Sequence, residues 1–161
     1  MPQIIKNRAI VDDNWHHVAE DATDLPAGDI IVPLSIWQER RAELTDRDGG
    51  LGVRLAPVQR PALIADDLDR FAVIAIEFPA FKDGRGFSHA RLLRERYGYK
   101  GEVRAVGDVA RDQMFFMARC GFDAYEVKEG RSLEDALKAF EDFSVTYQPA
   151  ADDPRPFFLR G

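Results

Sequence analysis

The sequence predicts an α/β fold: a mainly parallel sheet of about five strands joined by βα crossovers. Three observations predict it. Short apolar runs such as Phe71-Ala-Val-Ile-Ala-Ile76 read as buried strands. Stretches with apolar residues at helical spacing separate those runs. Glycines, prolines and capping residues punctuate the boundaries between the two patterns. Periodicity does not set strand order, so an open doubly wound sheet and a partial β/α barrel both fit.

Residues 1–20 read as a short N-terminal antiparallel segment, a β meander, because Lys6-Asn7 and Asp12-Asp13-Asn14 have turn chemistry. The βα units occupy 29–145. Asp29-Ile-Ile-Val-Pro33 is the first strand, and Ser35-x-x-Gln38 reads as a capping box opening a helix to about Leu44. Gly50-Leu-Gly-Val-Arg-Leu55 resumes the strand pattern. Pro61 suits a first helical position, for a helix that ends near Arg70. After the strand at 72–77, Ser88 reads as an N-cap ahead of the stripe Ala90, Leu93 and Tyr97, and Gly98 as the stop. Glu102–Val106 is a strand. Gly107-Asp108 reads as the start of a helix whose inner face carries Val109, Phe116, Met117 and Cys120, with Gly121 ending it. Phe122–Val127 is the last strand. Ser132-x-x-Asp135 caps a helix bearing Leu133, Ala136, Leu137 and Phe140, and 148–161 is an irregular tail. In that tail, Phe157-Phe158 either packs back on the body or docks on a partner.

At 161 residues the chain reads as one domain, 1–161. The composition, 45% apolar and 31% charged, is that of a folded protein. A net charge of −6 argues against a nucleic-acid partner, which wants a basic face. Nothing approaches the ~18 consecutive apolar residues of a membrane span. The N-terminus lacks the apolar core of a secretory signal, and one cysteine makes neither an internal disulfide nor a thiolate zinc set. The expected compartment is the cytoplasm.

The segment Glu77-Phe-Pro-Ala-Phe-Lys-Asp-Gly-Arg-Gly-Phe-Ser-His-Ala-Arg91 concentrates the chemistry. It joins a predicted strand to a predicted helix, where α/β proteins build sites. Gly84, Arg85, Gly86 and Ser88 are candidate anion-binding residues: glycines admit close backbone approach, a helix start offers N–H groups, and Arg85 supplies paired donors. The plainer reading is a tight turn with Arg85 paired to Asp83 or Glu77. Glu77, Asp108 and Glu126 fall at or just after strand ends and would share one rim of a parallel sheet. They are the candidate catalytic carboxylates, able to ligate Mg²⁺ or serve as a general base. The plainer reading makes Asp108 an N-cap and Glu77 a partner for Arg85 or Arg104. Cys120, at a helix C-terminus, reads as a buried hydrophobe rather than a nucleophile. His16 and His17, adjacent on a strand, point to opposite faces, and no metal site is assigned. His89 lies beside the loop.

Three runs carry a resemblance: Phe78-Pro-Ala-Phe-Lys-Asp-Gly-Arg-Gly-Phe-Ser-His-Ala-Arg91, Gly98-Tyr-Lys-Gly-Glu-Val-Arg-Ala-Val-Gly-Asp108 and Arg119-Cys-Gly-Phe-Asp-Ala-Tyr-Glu126. With Val32-Pro-Leu34 and Leu51-Gly-Val-Arg-Leu-Ala-Pro57, they resemble a bacterial domain-of-unknown-function family labelled an oxidoreductase of sulfite reduction. Its members are encoded beside sulfite reductase and phosphoadenylylsulfate reductase genes. The resemblance implies a pathway, with sulfite reductase or another sulfur-assimilation protein as partner, and no catalytic residues. The residues themselves show no dinucleotide fingerprint, CxxC or iron–sulfur set, so no cofactor is assigned. The expected function is an accessory protein of assimilatory sulfite reduction that binds a redox partner or a small oxyanion. The alternatives are a small metal- or anion-dependent enzyme acting on a phosphorylated or sulfated metabolite, and a structural or chaperone-like module.

Overall fold

The computed structural model describes residues 2–79, 84–127 and 132–144. Its centre is a single sheet of eight strands: β1 (Gln3–Lys6), β2 (Ala9–Asp12), β3 (His16–His17), β4 (Ile30–Pro33), β5 (Leu51–Leu55), β6 (Val73–Phe78), β7 (Glu102–Gly107) and β8 (Ala124–Tyr125). The spatial order is β2-β1-β8-β7-β6-β5-β4-β3. Every neighbouring pair from β3 to β8 is parallel, whereas β1 runs antiparallel to both β2 and β8. The expected α/β class and the N-terminal antiparallel segment are present. The count of about five strands is too low, because the short β1, β2 and β3 join the same sheet. His16–His17 in particular pairs parallel with β4 instead of completing a meander.

The six parallel strands follow one another in sequence order, with no reversal of the kind that makes a sheet doubly wound. The sheet is open and curled, and two observations measure the curl. Asp12 ends β2 and His16 begins β3 at opposite edges of the sheet, seven strand spacings apart. Flat, that is roughly 34 Å; four residue steps reach roughly 14 Å at most. The second measure is a side-chain contact between the ends of the parallel set, His17 to Glu126.

Helices cover one face. They are α1 (Leu34–Glu39), α2 (Arg41–Asp46), a 3-10 helix (Pro61–Arg70), α3 (Arg85–Arg91) continued by one π-helical stretch (Leu92–Arg96), α4 (Arg111–Cys120) and α5 (Leu133–Ser144). Trp37, Leu93, Met117 and Phe140 from these elements pack against Ile5, Val53, Ile74, Val103 and Tyr125 of the strands. Local cap signals set some boundaries. Gly98 and Gly121 take the left-handed conformation at φ 65 and 118, and Ser132 Oγ accepts the Asp135 amide at 3.1 Å.

Elsewhere packing overrides the local signal. The expected Ser35–Gln38 box is not formed: α1 starts at Leu34 after Pro33, with no side-chain cap, and the helical stretch breaks at Arg40. Ser88 lies inside α3, which begins at Arg85. Asp108 is not an N-cap, since α4 begins at Arg111 after Ala110. Phe116 is 45% exposed, resting edge-on against Phe87 instead of joining Met117 and Cys120 in the core. The last strand shortens to Ala124–Tyr125. The tail 148–161, with Phe157-Phe158, lies outside the described residues.

Candidate functional site

The charges of β5, β6 and β7 all fall on one face of the sheet. Arg54, Ala75, Arg104 and Ala124 are register partners across β5 to β8, and so are Glu77 and Val106 across β6 and β7. Alternation puts these residues on the face opposite the helices. Ile31, Val73, Ala75 and Val106, with Trp15 against them, form a small apolar patch on that face. A parallel sheet usually buries apolar side chains on both faces. Here the second face is built around charge.

The charged side chains form one continuous chain of contacts. Arg54 Nε donates to Glu77 Oε2 at 3.0 Å, its Nη2 donates to the Val18 carbonyl at 3.1 Å, and its Nη1 lies 2.9 Å from His17 Nδ1. Arginine has no acceptor, so Nδ1 accepts and the ring carries its N–H on Nε2. That Nε2 donates to Glu126 Oε2 at 2.7 Å. Arg104 Nη1 reaches the same Glu126 oxygen at 2.9 Å and Asp13 Oδ2 at 3.0 Å, while its Nε donates to Glu102 Oε2 at 2.7 Å. Lys6 closes the series on Glu102 at 2.9 Å.

Residues of β3 and of the segment just after β8 therefore touch, although the two strands are five spacings apart in the sheet. Flat, that separation is roughly 24 Å. The charged face is the concave one.

Burial and charge act against each other along this chain. Burial lowers the affinity of Arg104 for its proton, but Glu102, Glu126 and Asp13 outweigh it and hold the guanidinium firmly charged. Burial likewise pushes the Glu126 carboxyl up. The contacts with His17 first, and with Arg104 second, more than reverse this and hold it below the ordinary carboxylate range.

Where the concave face opens at the carboxyl ends of the strands lies a cleft of about 490 Å³. His17, Arg54, Glu77 and Glu126 supply its polar wall, and Val18, Pro57, Phe78, Pro79 and Val106 its apolar wall. The volume is that of a small-molecule site.

Of the sequence-predicted carboxylates, Glu77 and Glu126 share this cleft. Glu77 pairs with Arg54 on the adjacent strand; Arg104, at the equivalent register on the other neighbour of β6, is taken up by Asp13, Glu102 and Glu126. Asp108 is half-buried beyond the end of β7. Its amide donates to the Phe78 carbonyl at 2.8 Å, and its neighbour Gly107 lines the cleft. The four anion candidates sit at the start of α3. Gly84 has an ordinary φ of −84, so its backbone is one any residue adopts. Gly86 is buried with the Phe78 ring 2.7 Å from where a Cβ would stand, which makes it a packing residue. Arg85 and Ser88 are exposed on a helix of seven residues. His89 is buried, its Nε2 2.9 Å from the Pro57 carbonyl, and it ties α3 to the cleft wall. Burial pushes the Cys120 thiol up, as expected of an inert cysteine. Among the described residues, no cluster of His, Cys, Asp or Glu is arranged to hold a metal ion, and no helix is long and apolar enough to cross a membrane.

The family model of a bacterial protein of unknown function, DUF934, matches residues 52–158. The chain belongs to the DUF934 family. No curated protein and no solved structure matches it. The DUF934 match takes in Arg54, Glu77, Arg104 and Glu126, whereas Asp13 and His17 precede it. The site thus joins the matched stretch to the N-terminal segment. Arg54, His17 and Arg104 are the functional candidates that reasoning from the sequence missed. The available signal was a charge at the positions alternating with apolar ones in strands that otherwise read as apolar: Arg54 in Leu-Gly-Val-Arg-Leu at 51–55, and Glu102 and Arg104 in Glu-Val-Arg-Ala-Val at 102–106.

Proposed function

We propose that this protein is a ligand-binding accessory module, holding a small metabolite in the cleft at the carboxyl rim of its sheet. The observation that carries this reading is the engagement of both His17 ring nitrogens, Nδ1 by Arg54 and Nε2 by Glu126. A general base needs one ring nitrogen turned to the substrate. Glu77 and Glu126 each pair with an arginine through Oε2, which fixes both carboxylates in place as acceptors on the cleft wall. A wall already paired and preorganised suits recognition. The family resemblance supplies the pathway for this proposal, sulfur assimilation, with sulfite reductase or a neighbouring enzyme as the protein that receives or supplies the ligand.

The test is thermal stability of the full chain against a panel of sulfur-assimilation metabolites, sulfite and sulfate among them, with co-purification against sulfite reductase subunits. A ligand at about a hundredfold excess over its Kd is expected to stabilise the fold by about 2.7 kcal/mol. Arg54→Lys, which keeps the charge and loses the forked donors, is expected to abolish that gain while circular dichroism shows the fold retained. Turnover of any panel member by the protein alone, or a gain unchanged in Arg54→Lys, overturns the reading.

A further inference from the structure

The hydrogen-bonding capacity left over in the cleft defines what fits it. A guanidinium has five N–H groups. Arg54 commits one to Glu77, one to His17 and one to the Val18 carbonyl, which leaves one N–H on each terminal nitrogen. Glu77 and Glu126 each accept through Oε2, so among the described residues the Oε1 atom of both has no partner. Both carboxylates line the cleft with Arg54, and their side chains are 37% and 25% exposed.

The balance of charge decides between ligand classes. The wall holds one arginine against two glutamates, and the second arginine, Arg104, is 1% exposed behind Glu126 with Asp13 and Glu102 also drawing on it. A bare oxyanion would meet its single cation flanked by two carboxylates. A simple amine would satisfy the carboxylates and leave the Arg54 donors facing a cation. A molecule carrying both charges a few bonds apart satisfies every unused group at once.

We propose that the cleft binds a free α-amino acid in its zwitterionic form. The α-carboxylate takes the two remaining N–H groups of Arg54, and the α-ammonium bridges Glu77 Oε1 and Glu126 Oε1. The side chain lies along Val18, Phe78, Pro79 and Val106, which selects for an apolar one. This assignment rests on reading the cleft as a ligand-binding site and names the class of ligand.

The experiment is calorimetric titration of the full chain with a panel of the standard L-amino acids. The strongest binder is then compared with its N-acetyl derivative, which lacks the ammonium, its methyl ester, which lacks the carboxylate, and inorganic sulfite and phosphate. An apolar amino acid is expected to bind, and each blocked derivative to bind roughly tenfold to a hundredfold more weakly, as for a lost charged hydrogen bond. Glu77→Gln keeps the acceptor for Arg54 and removes one charge, so it is expected to weaken the amino acid and strengthen its N-acetyl derivative. Should sulfite, phosphate or the N-acetyl derivative bind the wild-type chain as well as any free amino acid does, the zwitterion assignment falls and the cleft remains a binding site. Should none of these probes bind, both readings fall.

Discussion

Arg104 concentrates the tension of the molecule in one side chain. It is 1% exposed in mid-strand, and it is tolerable there only because Asp13, Glu102 and Glu126 converge on it. Removing one member of a buried ionic set costs about 3–5 kcal/mol, because the partners keep their desolvation and lose their compensation. Arg104→Met is expected to lose that much in urea denaturation at neutral pH. The sign of the pH dependence separates charge from packing. Glu126 is held below its ordinary value of 4.5. Its contribution is therefore fully present above the unfolded value and fades as pH falls through the folded one. In Arg104→Met the share of that depression that comes from Arg104 is relieved, so the stability gap between variant and wild type is expected to narrow from pH ~7 to pH ~3. A gap of constant size across that range would mean that Arg104 acts through its bulk.

The elements show which parts of the fold local chemistry decides. The stops at Gly98 and Gly121 and the Ser132 cap were legible because each rests on a residue's own backbone freedom or a hydrogen bond three residues away. The starts of α3 and α4 were not legible, because contacts distant in the chain set them. Gly86 lies within α3, where the missing Cβ lets the helix settle on Phe78, and that ring is itself wedged between Phe87 and Phe122. Gly107 takes φ 92 with the Phe78 carbonyl where its Cβ would be, so the chain turns there and α4 starts later. Two substitutions separate packing from backbone conformation. Gly86→Ala overpacks the Phe78 contact and is expected to cost about 1–3 kcal/mol in chemical denaturation. Gly84→Ala, at an ordinary φ with open space among the described residues, is expected to stay within about 0.5 kcal/mol of wild type. A large loss at Gly84 would mean that the turn into α3 depends on its missing side chain.

Whole-molecule shape is where the sequence was least legible, and the site depends on it. The parallel, βα-connected character follows from apolar runs spaced by helices. Strand order and curl do not, since no local pattern places the edge of β3 near the end of β8. His17 looked unpromising because His16 beside it points the other way; its real partners, Arg54 and Glu126, lie 37 and 109 residues along the chain. If the curl brings them together, their contact in turn helps to hold the curl. A double-mutant cycle on His17→Ala and Glu126→Ala measures this, with an expected coupling of about 0.5–3 kcal/mol for contacting groups in one network. Amide hydrogen exchange shows where the coupling acts. Losing the contact is expected to speed exchange at Val18 and Glu126, whose amides donate to Ile31 and Ala105 at the two ends of the parallel set. The amides of the central pair β5 and β6 are expected to keep their protection, because the ladder there does not depend on the ends meeting. Faster exchange throughout the sheet would instead mark global loss of stability, and unchanged exchange at both ends would show that the backbone holds its curl without this contact.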